Sequence, residues 1–117
     1  RCGIMYNQGD ILLIPIPFTD LSSSKRRPVL VISNSEYNEK TEDIIVAAIT
    51  SNIEEKDYSI VFKNSDMLEG NIKIDSCVRA DKIYTLSKTI VVKKFGKVKK
   101  QVFDNVKEKI AYLLDER

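Results

Sequence analysis

Histidine and tryptophan are both absent from this chain of 117 residues, and cysteine occurs only twice. Without histidine, the commonest general base near neutral pH and the commonest nitrogen ligand for a metal are missing. Any chemistry must then rest on hydroxyls, carboxylates, lysine or arginine. Cys2 and Cys77 stand far apart and form neither a disulfide framework nor a zinc-binding set, so neither a metal nor a cofactor is expected. No apolar run approaches the roughly eighteen residues of a membrane-spanning helix. The start also lacks the basic-then-apolar layout of a secretory leader, which makes the cytoplasm the expected compartment and a membrane role unexpected. Strong charge of one sign is missing too: a net +2 is too small to announce a nucleic-acid binder by itself. Internal repeats and low-complexity tracts are lacking.

What remains is a normal globular balance, 43% hydrophobic and 31% charged, in a chain long enough to bury a core without disulfide or metal staples. Residues 1–4 precede Met5 and are expected to be an extraneous remnant, leaving residues 5–117 as a single domain. Basic residues gather at Lys25, Arg26 and Arg27 and again within residues 93–100, while acidic residues concentrate in 36–57 and near the C-terminal end.

Hydrophobic periodicity predicts short strands followed by one helix. Residues 11–18 form an apolar run broken by Pro15 and Pro17, a strand whose second half lies at an edge or bulge. Residues 28–33 (PVLVIS) and 44–50 (IIVAAIT) are β-branched and short, as buried central strands are. The polar stretch 34–43 between them reads as a connection. Residues 58–62 alternate as a fourth strand, 63–71 read as a loop, and 72–78 alternate again. The extended pattern resumes over 82–86 after a kink near residues 79–81, and Gly96 reads as a turn. From 99 to 115 the period changes: Val102, Phe103, Val106, Ile110, Leu113 and Leu114 recur at spacings of three and four, the stripe of an amphipathic helix. Since no strand–helix–strand alternation exists, the pattern predicts a mainly β, α+β fold: a small, SH3-like, partly open barrel of about five to seven strands with a C-terminal helix.

Three ordered blocks carry a resemblance to a known family. GDILLIPIPFTDLSSSKRRPVLVIS (9–33) has an opening Gly-Asp, an apolar strand, a flexible polar loop, then Arg-Pro and a β-branched strand; IVAAITS (45–51) and DSCVRADKIYTLSK (75–88) follow in order. Together these resemble the MazF/PemK toxins of type II toxin-antitoxin systems, over nearly the whole chain from Gly9. The resemblance implies a MazF/CcdB-like fold and a homodimer that cuts single-stranded RNA sequence-specifically until a cognate antitoxin blocks it. It places the catalytic arginine on Arg27 and the catalytic threonine on Thr50. Ser51 and Ser76 match polar positions near the scissile phosphate, and residues 19–26 match the loop that helps admit RNA.

The residues themselves permit blander readings. Lys25-Arg26-Arg27 suits a solvated loop, Thr50-Ser51 a strand end entering a turn, Asp75-Ser76 a bulge, and the lysines of 93–100 a solvated face. Position sharpens the first of these. Pro28 holds Arg27 extended, and a planar fork of donors at a barrel rim suits a phosphate better than lysine does. The candidate RNA contacts are then Phe18, Thr19, Ser24, Lys25 and Arg26 before the second strand, Ser51 and Asn52 after the third, and Asp75 and Ser76. RNA carries its own nucleophile, so the implied reaction is attack of the 2′-OH on the adjacent phosphate, giving 2′,3′-cyclic phosphate and 5′-hydroxyl ends without a metal. Two other readings keep the fold. One is a CcdB-like gyrase poison, which typically relies on a C-terminal segment with tryptophan, whereas this chain ends Leu114-Asp115-Glu116-Arg117. The other is a noncatalytic SH3-like nucleic-acid- or protein-binding module.

Overall fold

The computed structural model describes residues 5–15, 25–53 and 57–116. Seven strands, β1 (Asp10–Pro15), β2 (Arg26–Val31), β3 (Asp43–Thr50), β4 (Ser59–Phe62), β5 (Met67–Glu69), β6 (Ser76–Ser87) and β7 (Lys93–Val98), form one antiparallel sheet in the order β4-β6-β3-β2-β1-β7-β5. Two helices accompany it, α1 (Ser35–Lys40) and the C-terminal α2 (Lys100–Leu114). This half-barrel with a C-terminal helix is the fold class that the alternating apolar segments predict.

Alternation along each strand separates two cores. Ile11, Leu30, Ala47, Ile49, Val78 and Ala80 face α2, which buries Val102, Phe103 and Val106 against them. Leu12, Ile14, Val29, Val31, Ile44 and Val46 face the other way and are covered by Tyr6 and Leu86. The central strands are thus buried on both faces, which is why 29–31 and 44–49 read as continuous apolar runs. Large side chains such as Leu12, Leu30 and Ile44 bury completely, each stabilising the fold by roughly 1.5 to 3 kcal/mol relative to exposure.

Four sequence expectations need correction. Residues 34–43 are not merely a connection. The Asn34 side chain accepts from Tyr37 N (2.8 Å) and starts α1, which also carries a Glu36–Lys40 pair four residues apart. Its Asn38 is buried, hydrogen-bonded to Ser33 and, through Nδ2, to the Tyr6 carbonyl (2.9 Å). The stretch 63–71 holds a 3-10 turn at Asn64–Asp66 and β5, a strand too short to show a period. Ladder pairing of β6 starts at Ser76 rather than 72. Gly96 is not a turn but lies inside β7 paired with Ile11, and the position calls for glycine because a Cβ there would stand 2.6 Å from the Glu69 carbonyl oxygen of β5.

The kink predicted near residues 79–81 is present. In the β3–β6 ladder Ala48 pairs with Arg79 but Ala47 pairs with Ile83, so residues 80–82 bulge out opposite no partner in β3. The bulge bends the twelve-residue β6, whose first half also pairs with β4.

Candidate functional site

The opening of β2, the end of β3 and the opening of β6 meet at one end of the sheet, and this rim brings candidate residues from all three together. The β2–β3 register pairs Val29 with Ala48, and carried two residues further it sets Arg27 opposite Thr50. On the other side of β3, Thr50 pairs with Cys77 and Ala48 with Arg79. Directly opposed residues share a face of the sheet, so Arg27, Thr50, Cys77 and Arg79 lie on the face away from α2.

Two adjoining depressions open at this rim, and both have Arg27, Ile49 and Thr50 in their walls. The larger, about 630 Å³, runs over Pro28, Ile72, Ile74 and Phe95, a mostly apolar surface with Ser51, Lys73 and Ser76 at its margins. The smaller, about 230 Å³, is cationic: Arg79 and Lys82 join Arg27, with Tyr84 and Ser59 beside them. Arg27 and Thr50 therefore stand on the ridge between an apolar groove and a basic one.

The ridge is built from ordinary local chemistry. Arg27 precedes Pro28, which disfavours helical backbone, and it pairs with Ile14 of β1 while its side chain is exposed. Thr50 is half-buried, and its Oγ1 accepts from Asn52 N at 3.1 Å, a hydroxyl-closed turn that ends β3. The hydroxyl proton is left available to a second acceptor. At the bulge, Arg79 donates from Nε to Asp81 Oδ1 (3.1 Å) and from Nη2 to Asp81 Oδ2 (3.0 Å), a two-toothed pair that holds the Asp81 carboxyl below its usual pKa against the opposing pull of desolvation.

The other sequence candidates fall into three groups. Ser51 and Ser76 line the larger groove and Asn52 the smaller; Ser76 is itself buried, with Oγ donating to the Ile74 carbonyl (3.1 Å). Lys25, Arg26 and Asp75 are exposed and line neither depression, and Arg26 Nη1 donates to the Lys25 carbonyl (3.4 Å). Phe18, Thr19 and Ser24 lie outside the described residues. Sequence reasoning passed over Arg79, Lys82 and Tyr84 as site residues. Only the kink hinted at them, because their approach to Thr50 depends on the bulge and the β3–β6 register. The lysines of 93–100 are also not all a solvated face: Lys94 and Lys97 reach the fully buried Asp10 at 3.3 and 3.8 Å.

Among the described residues, no group of three or more histidine, cysteine or carboxylate side chains could hold a metal ion, and no helix is long and apolar enough to cross a membrane.

Comparison with known proteins follows the same outline. The fold superposes on a mycobacterial endoribonuclease with a TM-score of 0.77 at 22% identity, covering 97% of this chain and 95% of that one. It matches a mycobacterial endoribonuclease in complex with its cognate antitoxin with a TM-score of 0.75 at 21% identity, over 96% and 99% of the two chains. A chain of the MazE–MazF complex from Deinococcus radiodurans gives 0.75 at 19% identity, over 98% and 100%. Identities this low show the shared fold. No curated protein sequence matches. The family model of the PemK-like, MazF-like toxins of type II toxin-antitoxin systems matches residues 7–114, nearly the whole described barrel and helix, and the chain belongs to that family.

Proposed function

We propose that this chain is an endoribonuclease toxin that cuts single-stranded RNA at short recognised sequences by 2′-OH transesterification. The observation that carries this reading is the meeting of Arg27 and Thr50 on the ridge shared by the two depressions. A phosphodiester crossing that ridge presents its non-bridging oxygens to a cationic guanidinium with a planar fork of donors. Attack of the 2′ oxygen on phosphorus forms the P–O2′ bond and breaks the P–O5′ bond. The 2′ proton passes to solvent water with the attack, and the departing 5′ oxygen takes one proton up, so the protons balance and the products are a 2′,3′-cyclic phosphate and a 5′-hydroxyl. Arg27 neutralises the extra negative charge on the five-coordinate phosphorus and is positioned to donate toward the leaving oxygen. A guanidinium offers donors and no acceptor, so Arg27 is unsuited to take the 2′ proton. Thr50, anchored by Asn52 N, aligns the 2′-OH or a phosphate oxygen through its own hydroxyl.

The walls fit a single strand. Base faces that are unstacked in single-stranded RNA can rest on the apolar groove over Ile72, Ile74 and Phe95. We further propose that the chain works as a homodimer and that a cognate antitoxin silences it by laying an acidic or amphipathic segment over this rim, as basic residues in both depressions would favour. The antitoxin complex among its structural relatives supports that reading.

The test is incubation of the purified chain, in excess chelator, with a long single-stranded RNA and the DNA of the same sequence. The expected result is RNA-only cutting at recurring short sequences. Arg27→Ala is expected to lower kcat by roughly 100- to 1000-fold, the loss typical of one preorganised donor. Intact RNA from a folded protein, or equal cutting of DNA, defeats the proposal.

A further inference from the structure

A second surface lies at the opposite end of the sheet from Arg27. There Gly9 N donates to the carbonyl of Val31 (2.9 Å), at the far end of β2, and the end of β7 and the start of α2 meet beside it. Arg27 and Val31 are separated by about 13 Å of strand at roughly 3.3 Å per residue, so this corner is distinct from the rim. A depression of about 270 Å³ opens in it. Val98 and Phe103 are buried and form its floor, and Lys97, Lys100 and Lys107 stand around them. Leu68 joins the apolar part. It is left out of the β5–β7 register, in which Met67 pairs with Val98 and Glu69 with Lys97, and it stands 60% exposed on the edge strand of the sheet.

The charge here is not cancelled. The three ammonium groups meet one lining carboxylate, Asp104, which pairs with Lys100 at 3.0 Å. Lys97 reaches the buried Asp10 at 3.8 Å, and Lys107 has no ion pair among the described residues. The helix brings no relief, because its first turn holds no acidic residue. An exposed leucine inside a positive field is the complement of an apolar side chain flanked by carboxylates. A nucleic acid fits less well: Phe103 is too buried to offer a ring face to a base, no arginine lines the depression to fork a phosphate, and Asp104 repels one.

We propose that this corner of β5, β7 and α2 docks an acidic segment of a partner protein, with one bulky apolar side chain seated on Leu68 and Phe103 and flanking carboxylates on Lys97, Lys100 and Lys107. The contact leaves the ridge of Arg27 and Thr50 open and does not depend on the ribonuclease reading.

The probe is a fluorescent peptide of alternating glutamate and serine with Leu-Phe at its centre. Its affinity for the full chain is read by anisotropy and its place by amide shifts in heteronuclear NMR. The shifts are expected to gather at residues 97–107 and Leu68 and to spare Arg27 and Thr50. Joint Lys100→Glu and Lys107→Glu replacement is expected to weaken binding about tenfold or more, whereas Arg27→Ala leaves it unchanged. Both lysines are exposed and a glutamate suits the first turn of a helix, so this variant keeps its fold, which its urea midpoint checks. Exchanging Leu-Phe for Ser-Ser in the peptide also weakens binding about tenfold, the order expected for one buried apolar side chain. A peptide that does not bind, that shifts the rim amides instead, or that binds the double variant as well as the unmodified chain overturns the proposal. Displacement of the bound peptide by a fully 2′-O-methylated single-stranded RNA overturns it too, and gives these lysines to a nucleic acid.

Discussion

Arg27 owes its place to the residue after it. Pro28 keeps the backbone extended, so the preceding side chain leaves the sheet at the rim instead of curling into a turn. Thr50 contributes a hydroxyl that accepts from Asn52 N through one lone pair and keeps its proton available for a second partner. On this account Thr50→Ser keeps most of the cutting rate, since the hydroxyl is retained, while Thr50→Val, similar in shape but unable to hydrogen-bond, loses about 10- to 100-fold in kcat. Single-turnover rates on one mapped RNA site check this, and equal rates for Ser and Val would remove Thr50 from the mechanism. These two residues were legible in the sequence because each sits in a short ordered block beside a strand signal. Arg79 was not. Nothing in VRADK says which face it takes; that is settled by three bulged residues and by pairing with a strand some thirty residues away. Phase information of this kind is a property of the ladder and not of the segment.

At the scale of elements, the long periodic segments were readable and the short ones were hidden. The helix stripe from Val102 to Leu114 and the β-branched central strands announce themselves over several periods. A six-residue helix and a three-residue strand do not, and α1 depends on a single cap and a buried Asn38. The β5–β7 edge shows what replaces periodicity there. Gly70 has φ +79°, and a Cβ on it would stand 2.7 Å from the Phe95 carbonyl oxygen, so both conformation and space call for glycine. Gly70→Ala is expected to destabilise the fold by about 1 to 3 kcal/mol, read from the urea midpoint. Because β5 and β7 lie at the far edge of the sheet from β4, an unchanged midpoint would mean that this edge detaches from the cooperative unit at little cost.

At the scale of the whole molecule, one buried charge ties the first strand of the sheet to the last. Asp10 is fully buried; Oδ2 accepts from Asn7 N at 2.9 Å, while Oδ1 has no hydrogen bond of good geometry and is balanced by the Lys94 and Lys97 ammonium groups across the β1–β7 pair. Burial pulls the Lys94 pKa down, but attraction to Asp10 and then Glu69 outweighs it and leaves the value raised above the ordinary 10.5. A raised lysine pKa contributes stability that is fully present below 10.5 and is lost as pH rises through the folded value. Asp10→Asn keeps a side-chain oxygen for Asn7 N but removes the charge, and about 1 to 2 kcal/mol of stability at neutral pH is expected to go with it. The difference between the two proteins, followed by urea unfolding, should hold steady from pH 7 to 10 and narrow above the lysine range; a difference that instead widens there contradicts the pairing.

The central claim is that RNA supplies the nucleophile and the rim of the half-barrel only aligns and stabilises it. Its most direct test is one atom of substrate. In an RNA with a mapped cleavage site, the single 2′-OH on the 5′ side of the scissile phosphate is replaced by hydrogen, and cutting is followed at that linkage and at a second, unmodified site in the same molecule. The account predicts that the modified linkage stays intact while the other is cut at its normal rate. Continued cutting at the 2′-deoxy linkage would contradict it, because the attacking oxygen would then have to come from elsewhere.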